Sequence, residues 1–355
     1  MAANNNSLKF LDGIRGLAAL YVLIHHARLL LTQPYFEGFL QHPDKYSPLS
    51  KILVYGFSLF KFGYEAVLIF FILSGFVIHL KQAENRKRTF SSPIFYKKRL
   101  IRIYPTLITS IIFTFICGII LYFLNARSLN DFTPSRFFLN LFLIPDAPIW
   151  GFNYPMWSLK HEWFFYIFYP LLYLLSKASY LTSLIPPIVL TLLFYLGIKI
   201  PIIGDVSYTI LFWWLGAGLA ELYVTKKNLS YFIYLVIPLA ITLYFTDNKI
   251  TTGLTFTCLT LCAFAYLLTR QNSYISLFLE KLKPLGDFSF SLYLLHFPLQ
   301  TLIQGIYLYY YSNLPYNFTL VFAGIVIPIP IIYCIYLQTE KKAIEIKSKK
   351  FSSPI

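Results

Sequence analysis

The fold class this chain predicts is all-α: a polytopic bundle of transmembrane helices, with about ten spans and both termini in the cytoplasm. Three observations predict it. Of the 355 residues, 57% are hydrophobic, and the mean hydropathy is +0.61. Apolar runs of roughly 20 residues, the length that crosses a bilayer, recur along almost the whole chain with short polar breaks. The basic residues gather in alternate breaks. In lipid every backbone polar group needs an internal partner, so runs of this length mean helices. No stretch is left for a sizeable soluble domain. Residues 1–340 read as one membrane-embedded domain and residues 341–355 as a basic cytoplasmic tail.

The first run, 14–32, contains "LDGIRGLAALYVLIHHA", with a cation near one end and two imidazoles deep inside. The second, 62–80, is interrupted at mid-membrane by Ser74 and Gly75, small residues that suit a close helix contact. The third, 103–124, follows the basic cluster 81–102, and His79 beside Lys81 reads as interfacial. The fourth, 158–175, carries Glu162 about one turn inside its outer end. The fifth, 181–198, holds Pro186 and Pro187. The sixth, seventh and eighth are 207–224, 230–246 and 252–269. The ninth, 286–310, has His296 at mid-span, and the tenth, 317–337, holds Pro328 and Pro330, which could bend it. Residues 136–145 could add an eleventh, interfacial piece.

The net charge of +15 is explained by topology. With the N-terminus inside and sides alternating, about 21 of the 30 basic residues fall inside and about 6 outside, the bias that cytoplasmic loops carry. No basic stripe with interleaved aromatic readers appears, so nucleic acid is not an expected partner. Cys117, Cys258, Cys262 and Cys334 all lie in apolar runs with no His or carboxylate beside them, so neither a metal site nor a disulfide framework is expected.

Ionisable residues within a span are costly and mark functional sites by default. On a helix, Arg15 and His26 are eleven residues apart, within about 20° of a whole number of turns, so they share a face and lie ~16 Å apart along the axis. His25 points off that face by roughly 80°. This geometry suits a ligand with an anionic end at the cytoplasm and a reactive end in the membrane. Acyl-coenzyme A (acyl-CoA) fits, with its phosphates on guanidinium groups and its long, thin pantetheine arm reaching toward His26. The alternative is that Arg15 snorkels to lipid headgroups while the histidines bond to neighbouring helices.

"FLDGIRGLAALYVLIHHA" (10–27) resembles the opening of the acyltransferase-3 family, integral membrane O-acyltransferases that act mostly on carbohydrates. The family motif is a basic residue, ten residues, then His, which here are Arg15 and His26. "FFILSGFVI" (70–78), "KKRLIRIYP" (97–105), "MWSLKHEWFFYIFYPLL" (156–172) and "FSFSLYLLHFPL" (288–299) resemble its later blocks, in the family's order. Leu68 stands where many members carry an Asp, and Glu65, three residues earlier, is the carboxylate on offer. Lys160 and His161 beside Glu162 also depart from the family pattern.

The resemblance implies transfer of an acyl group, expected to be acetyl, from cytoplasmic acyl-CoA to a hydroxyl of a sugar or polysaccharide precursor, in the inner (cytoplasmic) membrane. Acyl-CoA is then a co-substrate, and no permanently bound cofactor or metal is expected. Arg15, Arg99 and Arg102 would hold the donor, and Ser74 would leave room for its arm. His26 would be general base on the acceptor hydroxyl. Glu162 would orient an imidazole or bind acceptor hydroxyls, or it would pair with Lys160 or His161. Trp157, Ser158, Tyr166, His296, Asp12 and Glu65 complete the candidate set as acceptor or supporting residues. Asp12 could cap the first helix or hold Arg15. The chief rival is a transporter or flippase of a lipid-linked sugar, which would favour inverted repeats with helices broken at mid-membrane.

Overall fold

The computed structural model describes residues 8–33, 37–86, 89–198, 200–225 and 249–351. These residues form helices and loops, with no strand among them. The principal helices are α1 Phe10–Leu30, α2 Gly63–Glu84, α3 Ser92–Phe123, α4 Met156–Ala178, α5 Val206–Val224, α6 Lys249–Thr269, α7 Ser289–Tyr311, α8 Pro328–Gln338 and α9 Glu340–Phe351. Shorter helices fill the connections, among them Pro48–Ser58, Pro134–Leu141, Ile185–Tyr195 and Tyr274–Lys281.

Among the described residues, four stretches are long and apolar enough to cross a membrane: Pro48–Glu84, Ser92–Phe123, Thr251–Thr269 and Thr319–Ile346. The long helices α1, α4, α5 and α7 have a different make-up, because polar and aromatic side chains are turned into the bundle. The buried set of α4 includes Ser158, Lys160, His161 and Tyr166, and that of α7 includes Ser291, Tyr293, His296 and Gln300. The run 230–246, with Lys226 and Lys227, lies outside the described residues.

Several elements differ from the sequence reading. The fifth run is the short pair Tyr180–Ser183 and Ile185–Tyr195, in which Pro186 and Pro187 occupy the first turn. A missing N–H costs nothing there. The tenth run breaks after Val326, and Pro328 begins α8. The third begins at Ser92, so Arg99 and Arg102 lie within a helix rather than in the loop before it. His79 is fully buried within the protein. Its Nε2 lies 2.7 Å from Glu221 Oε1, and the other oxygen of Glu221 accepts from Arg86.

Helices α2 and α5 cross in close contact. A Cβ placed on Gly75 would lie 1.9 Å from the Trp213 carbonyl oxygen, and one on Gly216 would lie 2.2 Å from that of Ile72. Backbone therefore meets backbone here, the packing that small residues permit between membrane helices. The contact fixes Ser74, the residue before Gly75, against the centre of the bundle.

Gly75→Ala is therefore expected to lower the apparent unfolding temperature of the detergent-purified protein, by overpacking on the order of 1–3 kcal/mol. Gly56→Ala, at a helical position with nothing within 4 Å of the added Cβ, is the control and should leave that temperature unchanged or slightly raised.

Candidate active site

A cavity of about 750 Å³ lies among α1, α2, α3, α4 and α7. One end is basic, lined by Arg15, Lys81, Arg99 and Arg102, and the other is closed by Phe70, Ser158 and Tyr293. The intervening wall is mainly apolar and carries Ser74, Glu162 and Tyr166.

Each arginine is held differently. Arg15 Nη2 lies 2.7 Å from Asp12 Oδ1 and donates to the Gly286 carbonyl at 3.2 Å, while Nε donates to Ser289 Oγ at 3.2 Å. Asp12 thus holds the guanidinium. Arg102 Nη1 lies 2.6 Å from Oε1 of Glu340, which is 1% exposed. Glu340 Oε2 accepts from the Ser291 backbone N–H at 3.1 Å and from Ser291 Oγ at 2.6 Å. Arg99 lies over the rings of Phe95 and Tyr166, 5.3 and 5.2 Å from their centroids. Among the described residues no carboxylate pairs with Arg99, and its buried Nε has no hydrogen-bond partner.

Helix α4 lays out the rest of the cavity as a ladder. Tyr166, Glu162 and Ser158 are spaced by four residues, so they share a face and climb ~6 Å per step away from the basic end. Tyr166 OH and Ser74 Oγ both donate to Glu162 Oε1, the second at 2.9 Å. Trp213 Nε1 donates to Ser74 Oγ at 3.3 Å. At the last rung, Ser158 Oγ donates to Tyr293 OH at 2.8 Å, and Tyr293 OH donates to the Pro155 carbonyl at 3.3 Å. The Tyr293 ring packs against Phe70 with centroids 5.5 Å apart.

His26 does not line the cavity; it lies behind this aromatic end. The Tyr293 and His296 ring centroids are 6.0 Å apart, and His296 Nε2 is 2.9 Å from His26 Nδ1. His296 Nδ1 lies 3.0 Å from the Leu292 carbonyl oxygen. A carbonyl only accepts, so Nδ1 of His296 holds the proton. In the neutral ring Nε2 is then an acceptor, and His26 Nδ1 must donate to it. The lone pair of His26 is left on Nε2, the nitrogen a general base needs free. His296 is fully buried, while His26 is half-buried.

His25 turns away, as its helical angle requires. Its Nδ1 donates to the Phe60 carbonyl at 2.7 Å, an oxygen that also accepts from Arg28 Nε at 3.1 Å. Glu162 and His26 have different partners: the carboxylate goes to Ser74 and Tyr166, the imidazole to His296. Nor does Glu162 pair with its neighbours in sequence. Lys160, fully buried, donates to the Ala147 carbonyl at 2.7 Å, and His161 Nδ1 lies 3.1 Å from Thr209 Oγ1. Trp157 stacks on Tyr64 at 5.7 Å, outside the cavity, and Glu65 is also outside it. Leu68, at the position of the family's Asp, is 1% exposed in the core. Sequence reasoning missed Tyr293 and Glu340. The former stood inside a quoted block as one aromatic among many, and the latter stands at the last position before the basic tail, with two lysines after it.

The acyltransferase-3 family, described as an acyltransferase domain, matches residues 8–337. Over 121 residues the chain is 32% identical to acyltransferase MdmB of Streptomyces mycarofaciens, a match that covers 32% of this chain and 30% of that protein. The chain thus aligns with less than a third of the length of that relative. No solved structure matches.

The Arg102–Glu340 pair ties α9 to α3 and α7. Glu340→Ala leaves a largely buried guanidinium and the Ser291 N–H without their acceptor. A loss on the order of 3–5 kcal/mol is expected for a buried pair broken on one side, read as a lower apparent unfolding temperature. An unchanged midpoint would show that this pair does not anchor α9.

Proposed function

This chain belongs to the acyltransferase-3 family, and from that premise we propose that it moves an acyl group, acetyl in the first instance, from cytoplasmic acyl-CoA to a hydroxyl of a sugar or cell-surface polysaccharide precursor. The observation that carries the reading is the cavity itself. Three guanidinium groups gather at one end, and the other end closes on a tyrosine with a hydrogen-bonded histidine pair behind it. Guanidinium groups suit phosphates, and the mainly apolar wall suits a pantetheine arm. The chain would lie in the inner membrane with ten spans and both termini in the cytoplasm, which puts Arg15, Arg99 and Arg102 on the side where acyl-CoA is found. Acyl-CoA is a co-substrate that comes and goes, not a resident group.

In the proposed reaction the acceptor hydroxyl approaches His26 from the side away from the cavity, and His26 Nε2 takes its proton. The hydroxyl oxygen bonds to the thioester carbonyl carbon, the carbon–sulfur bond breaks, and the thiolate recovers the proton from His26. As His26 becomes cationic, its Nδ1–H bond to His296 becomes charge-assisted and strengthens. His296 is a positioning residue that holds the tautomer. Tyr293 must swing aside for the thioester to reach His26, since it stands between them.

Purified protein with radiolabelled acetyl-CoA and a hydroxyl acceptor tests this. Transfer of label is expected, and His26→Ala should lower its rate by about 10²–10⁴, the usual worth of a general base. A flippase would transfer no label. His296→Leu should lower kcat with the KM for acetyl-CoA unchanged, and His296→Gln, whose amide oxygen can still accept from His26 Nδ1, should recover part of that loss. Full activity in His26→Ala, or equal activity in the two His296 variants, would contradict the proposed roles. Arg15→Gln should raise the KM for acetyl-CoA more than that for the acceptor. Equal effects would remove its phosphate role.

A further inference from the structure

Glu162 is the one carboxylate on the apolar stretch of the cavity wall among the described residues, and its hydrogen bonds are one-sided. Both local donors, Tyr166 OH and Ser74 Oγ, end on Oε1. The Ser74 hydroxyl is itself oriented by Trp213, whose N–H takes up a serine lone pair and leaves the serine proton for Glu162. Gly75 pins this part of α2 to the backbone of α5. Oε1 is therefore fixed by three elements, whereas no donor from the described residues reaches Oε2. Phe70, Phe71, Leu73 and Leu159 line the same cavity. In a mainly apolar cavity, a carboxylate oxygen without a protein donor gains most from a ligand that brings one.

Resting on the acyl-CoA reading above, we propose that Glu162 Oε2 accepts a secondary-amide N–H of the donor's pantetheine arm, making Glu162 the residue that distinguishes a donor carrying the arm from its nucleotide portion alone. The spacing supports this. Arg99 lies over the Tyr166 ring, where the diphosphate would bind, and Glu162 stands ~6 Å further along α4 toward Tyr293. Pantetheine places its first amide a short, branched linker beyond the diphosphate and its second nearer the sulfur. It carries no charge along this stretch, in keeping with a wall that offers one acceptor and little else. Ser74 and Tyr166 act through Glu162, by holding Oε1 and leaving Oε2 for the donor.

Binding to the detergent-purified full chain tests this without turnover, with coenzyme A and adenosine 3′,5′-bisphosphate as the two probes. The second has nucleotide phosphates and no arm. In Glu162→Gln the amide N–H of the new side chain would meet the N–H of the arm. Affinity for coenzyme A should fall about tenfold or more, the worth of a hydrogen bond to a charged group, while affinity for the bisphosphate stays as in the wild type. Equal affinity for coenzyme A in variant and wild type overturns the assignment. If Glu162→Gln loses both probes, Glu162→Asp, which keeps the charge, must show the same split in milder form. Equal losses there also overturn it. A wild-type protein that binds neither probe would remove the acyl-CoA reading itself, a failure distinct from the loss of Glu162's role alone.

Discussion

The 2.9 Å contact between His26 Nδ1 and His296 Nε2 decides what the rest of the molecule can do. An imidazole alone in a membrane bundle can hold its proton on either nitrogen, and only one of those forms is useful as a base. Here the choice is made from outside the reacting ring. The Leu292 carbonyl takes the His296 proton, so His296 must accept, and His26 must keep its lone pair on Nε2. α1 and α7 are held in register by further contacts, including Gln300 Nε2 donating to the Leu23 carbonyl at 3.0 Å. The bundle as a whole therefore fixes the tautomer.

A second constraint is that charged groups in the bundle are costly unless satisfied. The structure meets it with separate local arrangements. Asp12 holds Arg15, Glu340 holds Arg102, aromatic rings face Arg99, and Glu162 takes hydroxyl donors on one oxygen. Two of the three arginines thus have carboxylates in place before any phosphate arrives, so an anionic ligand would join or displace them. Arg99 is the one with no such partner among the described residues, and it lies against the Tyr166 rung of the α4 ladder. In the donor reading, that makes it the natural first contact for a diphosphate whose arm continues toward Glu162.

Much of this was legible in the sequence where the relevant physics is local. The shared face of Arg15 and His26, and the turn of His25 away from it, follow from 100° per residue. Tyr166 one turn from Glu162 was readable for the same reason. The aligned small residues Ser74 and Gly75 carried two meanings, a helix contact and a cavity, and the structure gives one to each residue. The pairings across the bundle were not legible. His26 and His296 are 270 positions apart, and nothing local marks Glu340, beside its lysines, as the partner of Arg102. Tyr293, with the same composition as many interfacial tyrosines, closes the cavity only because α4 brings Ser158 and the Pro155 carbonyl to its hydroxyl. The effect of each proline depends on its place: the fifth and tenth runs divide where Pro186, Pro187 and Pro328 enter a first turn, whereas Pro105, Pro170 and Pro298 lie inside α3, α4 and α7.

The central claim is that His26 is a neutral ring with its proton on Nδ1 and its lone pair on Nε2. Nitrogen-15 NMR of histidine-labelled protein in lipid bilayers, with the His26 signals identified by their loss in His26→Ala, reads this directly. The account predicts a protonated Nδ1 and an unprotonated Nε2 for His26, with the pattern lost in His296→Leu. A His26 ring protonated on Nε2, or doubly protonated at neutral pH, would contradict it.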